Sequence, residues 1–136
     1  MRLWHYELIP YLPKSQLLAQ WRELNSIFAK EDKHVLINYI YNYPKSELYA
    51  YTNLVLDEMK RRGYKVRTFD KMERYFAEES SPIAQTSLYA NDQNDLYLTI
   101  CYYNLYEKFW RGQKDFSEAE FEALENFYLS KKQISE

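Results

Sequence analysis

Arg22 and Glu23 stand side by side in the stretch PKSQLLAQWRELNSIFAK, at the edge of an apolar stripe and near the start of the chain. A carboxylate held against apolar surface can stabilise a cationic centre and move protons, and an adjacent guanidinium can hold an anion. An ordinary helix edge carries the same charges, so the pair taken alone favours that plainer reading. Other chemistries have less to stand on. His5 and His34 are the only histidines, too isolated to make a metal site without help from carboxylates. His5 is expected to pack beside Trp4, and His34 to lie at the edge of the core. The single cysteine, Cys101, falls on an inward helical stripe, where a structural thiol is a better expectation than a nucleophile. There is no glycine-rich phosphate loop, no CxxC and no HExxH. No metal and no cofactor is expected.

The elements that must position these residues read as helices. In 136 residues there are only two glycines and four prolines, which argues against a turn-rich sandwich or barrel. Leu17, Trp21, Leu24 and Phe28 recur at helical spacing, widened by Leu18 and Ile27, and mark a first helix that fades near Lys30. Pro13 lies just ahead of it and Ser15 is a candidate cap. Before it, Met1 to Leu12 forms an extended arm; after it, His34 to Tyr43 reads as a buried connection. A second helix runs from about Ser46 to Arg62, with Leu48, Tyr51, Leu54, Val55 and Met59 inward and Gly63 as its stop. Phe69, Met72, Tyr75 and Phe76 give a shorter third helix, broken by Ser80, Ser81 and Pro82. A fourth spans about Asp95 to Trp110, capped by Asp92 or Asn94, with Leu98, Cys101, Tyr102, Leu105 and Phe109 inside. The last has the clearest start: Ser117 as cap, Glu120 reaching back, and Phe116 packing on Phe121. The expectation is an all-α single domain of four or five helices.

Eighteen basic and twenty acidic side chains leave a net charge of −2, so nothing in the whole molecule draws it to nucleic acid. Binding of that kind needs a local basic face. Lys60, Arg61, Arg62 and Lys65 cluster at the end of the second helix, where they equally complement its dipole. The 15 tyrosines, seven phenylalanines and three tryptophans suit either a core or a stacking surface. In the fourth helix Tyr103, Tyr106 and Trp110 are the surface candidates. No apolar run approaches the ~20 residues needed to span a bilayer, and the start lacks a signal-peptide layout. With one cysteine, the chain is expected to be soluble and cytoplasmic.

LIPYLPKSQLLAQWREL resembles the start of the pyrimidine-dimer DNA glycosylase family of the phage endonuclease V type, and it is similar to bacterial members beginning MRLWH. KHVLINYIYNYPKSELYAY and LVLDEMKRRGY resemble the family's middle segment, and DLYLTICYYNLYEKFW does so more weakly. From Arg111 onward there is no resemblance. On this basis 1–12 is an arm, 13–110 a family-like core and 111–136 an additional C-terminal helix, which either covers the core or offers a homodimer surface.

The resemblance implies an all-helical enzyme whose arm is tucked between helices, acting on double-stranded DNA with a damaged or abasic site. It implies that the chain's own α-amine attacks the deoxyribose C1′ and forms a Schiff base. Carried onto this sequence, Met1 supplies the amine, Glu23 the assisting carboxylate, and Arg22 the neighbouring phosphate or abasic-site contact. Arg2, Lys60, Arg61, Arg62, Lys65, Tyr103, Tyr106 and Trp110 are the expected substrate-binding residues. An α-amine with an ordinary pKa of ~8 is partly neutral near pH 7, which suits it as a nucleophile.

This sequence departs from the family pattern at two places. Phage members expose a threonine followed by an arginine once the initiator methionine is removed, whereas Arg2 here is expected to block that removal. Either the amine sits one residue early, an extension of ~3.5 Å, or Met1-Arg2 replaces the threonine-arginine pair. An arginine expected one turn beyond the glutamate is Ser26. Two readings stay open: a glycosylase with abasic-site lyase activity, or a diverged scaffold that serves as a nucleic-acid or protein interaction module.

Overall fold

The computed structural model describes residues 2–77 and 88–135. The Met1 amine and the break at Ser80, Ser81 and Pro82 lie outside the described residues. Among them are five α-helices, α1 (Lys14–Lys30), α2 (Lys45–Arg61), α3 (Asp70–Tyr75), α4 (Asp95–Trp110) and α5 (Glu118–Ser135), with 3₁₀ turns at Tyr6–Tyr11 and Asn38–Asn42 and no strand. None of these helices is long and apolar enough to cross a membrane.

The apolar stripe of α1 goes inward as its spacing requires. Leu17, Leu24, Ile27 and Phe28 are buried, with Leu18 and Trp21 packed at the margin. Its start differs from expectation. Pro13 occupies the cap position, so Ser15 already lies in the first turn, and its N–H donates to Asp115 Oδ2 at 2.6 Å from the α4–α5 connection. The α1 N-terminus is thus capped from a hundred residues away. In α2, Leu48, Tyr51, Val55 and Met59 are buried, but Leu54 is 39% exposed because it lies about 100° around the helix from Val55. Met72 and Phe76 of the α3 region are buried, while Phe69 stays exposed, its ring edge-on to Trp21. The 34–43 connection is buried through Ile37 and Ile40 alone; Val35 and Leu36 face solvent.

Asn94, not Asp92, caps α4 by accepting the Tyr97 N–H at 3.0 Å. Asp92 instead accepts the Tyr43 hydroxyl. At α5 both halves of the capping box form: Ser117 N–H donates to Glu120 Oε1 and Glu120 N–H to Ser117 Oγ, each at 3.1 Å, with Phe116 edge-on to Phe121. Leu124 and Tyr128 of α5 are buried, and the helix packs on α4 and on the 3₁₀ turn of the arm, so this apolar face is used within the chain.

The arm lies at the centre of this arrangement, with Leu3, Leu8, Ile9 and Leu12 almost fully buried. It is extended only to His5 and then coils into the 3₁₀ turn, where Pro10 is accommodated. A buried extended segment without a partner strand leaves its N–H and C=O groups unpaired, a cost of ~1–3 kcal/mol each unless side chains answer them. Side chains do. Gln20 Oε1 accepts the Trp4 N–H, Gln93 Oε1 accepts the Tyr6 N–H, and the hydroxyls of Tyr51 and Tyr97 donate to Trp4 O and Leu3 O. Arg62 donates to Pro10 O, and Lys131 of α5 pairs with Glu7 at 2.6 Å. Tyr51 and Tyr97 therefore serve as clamps with an apolar body in the core and a hydroxyl on the arm. His5 stacks on Tyr6, its ring centroid 4.7 Å away, and burial lowers its pKa. His34 is exposed.

Candidate active site

The packing of the arm along α1 brings Arg2 and Glu23 together. Gln20 Nε2 donates to Arg2 O and to Glu23 Oε2, both at 3.1 Å, while its Oε1 accepts the Trp4 N–H and the Tyr51 hydroxyl, both at 2.9 Å. Gln20 is buried, so one amide fixes the entry of the chain against the carboxylate three residues further along α1. Arg2, Trp4, Gln16, Ala19, Gln20 and Glu23 line one side of a cleft of about 190 Å³. Asn104 and Lys108 of α4 and Leu36 of the α1–α2 connection complete it.

The electrostatics of this cleft follow from its walls. Partial burial pushes the Glu23 carboxyl above its ordinary pKa, opposed by the Arg2 backbone, Arg22 and the Gln20 amide, which favour the charged form. A carboxylate whose protonated form is made accessible in this way is suited to taking and returning a proton. The Arg2 guanidinium lies 5.9 Å from the Trp4 ring and 5.8 Å from the Tyr97 ring, so two aromatic faces orient it without neutralising it. With Lys108 it makes the cleft receptive to an anion such as a phosphate. Among the described residues no group of three or more His, Cys, Asp or Glu side chains is arranged to hold a metal ion. Cys101 is fully buried and burial raises its pKa, the state of a structural thiol.

The other expected site residues are placed elsewhere. Arg22 is exposed on α1 and does not line the cleft, although its charge is felt by Glu23. Ser26 donates to Arg22 O, a local backbone bond. At the end of α2, Arg61 and Arg62 both bind the buried Glu58, and Arg62 also ties down the arm, so these two cations act within the fold. Lys60 and Lys65 are exposed. Tyr106 is half-buried against Phe121, Trp110 is 72% exposed, and Tyr103 lines a separate pocket with Glu7, Asp95 and Lys131. None of these residues lines the Glu23 cleft.

Of the polar residues in the cleft, the sequence singles out neither Gln16, Gln20 nor Asn104, and it offers Lys108 only as part of the aromatic-basic stretch of the fourth helix. Gln20 had a readable signal: it interrupts the apolar stripe at Leu17, Leu24 and Ile27, where a polar residue must find buried partners. Asn104 and Lys108 share one face of α4 by their spacing, but that this face meets α1 and the arm is not local information.

The family model described as pyrimidine dimer DNA glycosylase matches residues 1–72 of the 136-residue chain, the half that carries the arm, α1, Glu23 and α2. No curated protein matches the chain. No solved structure matches it either.

Proposed function

Because the chain belongs to the pyrimidine dimer DNA glycosylase family, we propose that it excises damaged pyrimidines from double-stranded DNA and nicks the abasic site left behind, with the α-amine of Met1 as nucleophile. The amine lone pair attacks C1′ of the deoxyribose, the bond to the base breaks, and the base leaves with that electron pair and takes up a proton. The ammonium so formed loses its proton to the Glu23 carboxylate; the C1′–O4′ bond then breaks as solvent protonates O4′, and the nitrogen lone pair closes the protonated imine. Glu23 then passes its proton to solvent, takes one from C2′, and the 3′ phosphate leaves by β-elimination. Water hydrolyses the imine and frees the amine. Glu23 also stabilises the cationic sugar electrostatically, while Arg2 and Lys108 hold the flanking phosphates.

The observation that carries this reading is the Gln20 amide, which binds both Arg2 O and Glu23 Oε2. Covalent geometry keeps the amine of residue 1 within about 5 Å of the Arg2 Cα, so whatever fixes Arg2 beside Glu23 brings nucleophile and carboxylate into one small volume. The Arg2 guanidinium between Trp4 and Tyr97 supports the register in which Met1-Arg2 takes the place of the family's threonine-arginine pair. Exposed Arg22 acts as an outer phosphate contact, with Lys60 and Lys65 further along the duplex.

Borohydride trapping on a duplex containing an abasic site tests this. The expected result is a covalent adduct that maps to the N-terminal peptide and is lost in Glu23→Gln. Intact-mass measurement identifies the residue that carries the amine. Retained DNA binding with no adduct would instead support the non-catalytic interaction module.

A further inference from the structure

Between α1 and the second 3₁₀ turn the backbone reverses sharply at residues 35–37. Four N–H groups around this reversal have a nearby acceptor. His34 N–H donates to Asn38 Oδ1 at 2.7 Å, Leu36 N–H to His34 Nδ1 at 3.1 Å, and Ile37 and Asn38 N–H to His34 O at 2.9 Å. Fully buried Ile37 anchors the turn from below. A connection held this way keeps one shape, yet it raises two adjacent aliphatic side chains into water: Val35 is 83% exposed and Leu36 39%.

Single exposed apolar residues are commonplace, but this pair is consecutive and stands at the cleft, which Leu36 lines. Leu36 lines the same cavity as Glu23, Arg2 and Lys108. Two cations stand near the pair: Lys108, which lines the cleft with Leu36, and Lys33, two residues before Val35, whose ammonium lies 3.7 Å from the centre of the Tyr41 ring. Aliphatic tips with cations nearby suit a duplex, whose apolar stacked bases run between two phosphate strands. A nucleotide drawn into a cavity of about 190 Å³ must leave the stack and opens a gap behind it.

We propose that Val35 and Leu36 form an aliphatic wedge that enters the base stack of duplex DNA when a nucleotide is drawn into the Glu23 cleft. This rests on the reading of that cleft as a DNA-processing site. Single-stranded substrate has no stack to open, so the wedge matters only for duplex.

The test compares the full chain with Val35→Ala/Leu36→Ala on abasic DNA, with 2-aminopurine at the base opposite the lesion. The wild type is expected to raise 2-aminopurine fluorescence several-fold on binding, and the double variant to lose most of that rise. Its ratio of duplex to single-strand borohydride trapping should fall about tenfold, and Val35→Ile/Leu36→Met should restore both. An unchanged rise and an unchanged ratio in the alanine variant would overturn the wedge. Fluorescence needs no bond-making, so its outcome separates from that of the chemistry. A Val35- and Leu36-dependent rise without trapping upholds the wedge and refutes the lyase. Trapping with no rise in the wild type refutes the wedge alone, and neither signal refutes both.

Discussion

Replacing Gln20 by alanine should detach the arm from α1, and its cost can be worked through bond by bond. The buried Trp4 N–H loses its acceptor, which costs ~1–3 kcal/mol. The Tyr51 hydroxyl keeps a second acceptor in Trp4 O at 2.7 Å, so little is lost there. Arg2 is only partly buried, and water can replace the amide on its carbonyl. Removing the rest of a side chain at a buried position adds about 1–2 kcal/mol of lost packing. The sum is roughly 3 kcal/mol, or about 12 °C in Tm for a domain of this size. Urea unfolding at pH 7 measures the first figure and a thermal melt the second. Below the melting transition, borohydride trapping should fall at least tenfold, because Arg2 and Glu23 no longer share a donor. Gln20→Glu separates position from stability. It retains the acceptor for Trp4 N–H but sets a second carboxylate against Glu23, which raises the Glu23 pKa further and moves the pH profile of trapping upward. A Gln20→Ala chain less than about 1 kcal/mol weaker than wild type, with trapping within twofold, would refute the reasoning.

Three further outcomes follow from the same contacts. Burial raises the Glu23 pKa in the folded chain, so wild-type stability falls as pH rises from the unfolded carboxyl value of ~4.3 through the raised folded one. Glu23→Gln should therefore be the more stable protein at pH 7 and lose that advantage below about pH 4, as read from urea midpoints. Glu58 has the opposite sign: burial pushes it up, but hydrogen bonds from Arg61 and Arg62 outweigh this and hold it below its ordinary pKa. Its contribution is present above ~4.3 and lost as pH falls through the folded value, so Glu58→Gln should cost about 2 kcal/mol at pH 7 and much less at pH 3. Ser117→Ala and Asp115→Ala each remove a helix cap, of α5 and α1 respectively, and each should cost about 1 kcal/mol in thermal melts.

The helices were legible because their signals are local. The stripe of Leu17, Leu24 and Ile27 fixes which face of α1 turns inward whatever it packs against, and the box of Ser117 and Glu120 closes within one turn. Glu23 was legible as a candidate for the same reason, standing at the edge of a readable stripe. The α1 cap was not, since its carboxylate comes from Asp115, and neither was the 3₁₀ coil of the arm, which depends on the helices that enclose it. Composition announced fifteen tyrosines without saying what they bind; the hydroxyls of Tyr51 and Tyr97 on the arm carbonyls answer that only in three dimensions.

Local periodicity and capping chemistry thus determined an all-helical chain with a carboxylate at the edge of its first helix, because such patterns act over three or four residues. The tertiary structure alone decided that Arg2 rather than Arg22 shares the cleft with that carboxylate, and that Asn104 and Lys108 face it. The Gln20 and Tyr97 bonds that hold the arm in place reach across 18 and 94 residues of chain, and the cleft arises only once an extended segment without a partner strand has had its backbone groups satisfied by side chains from several helices.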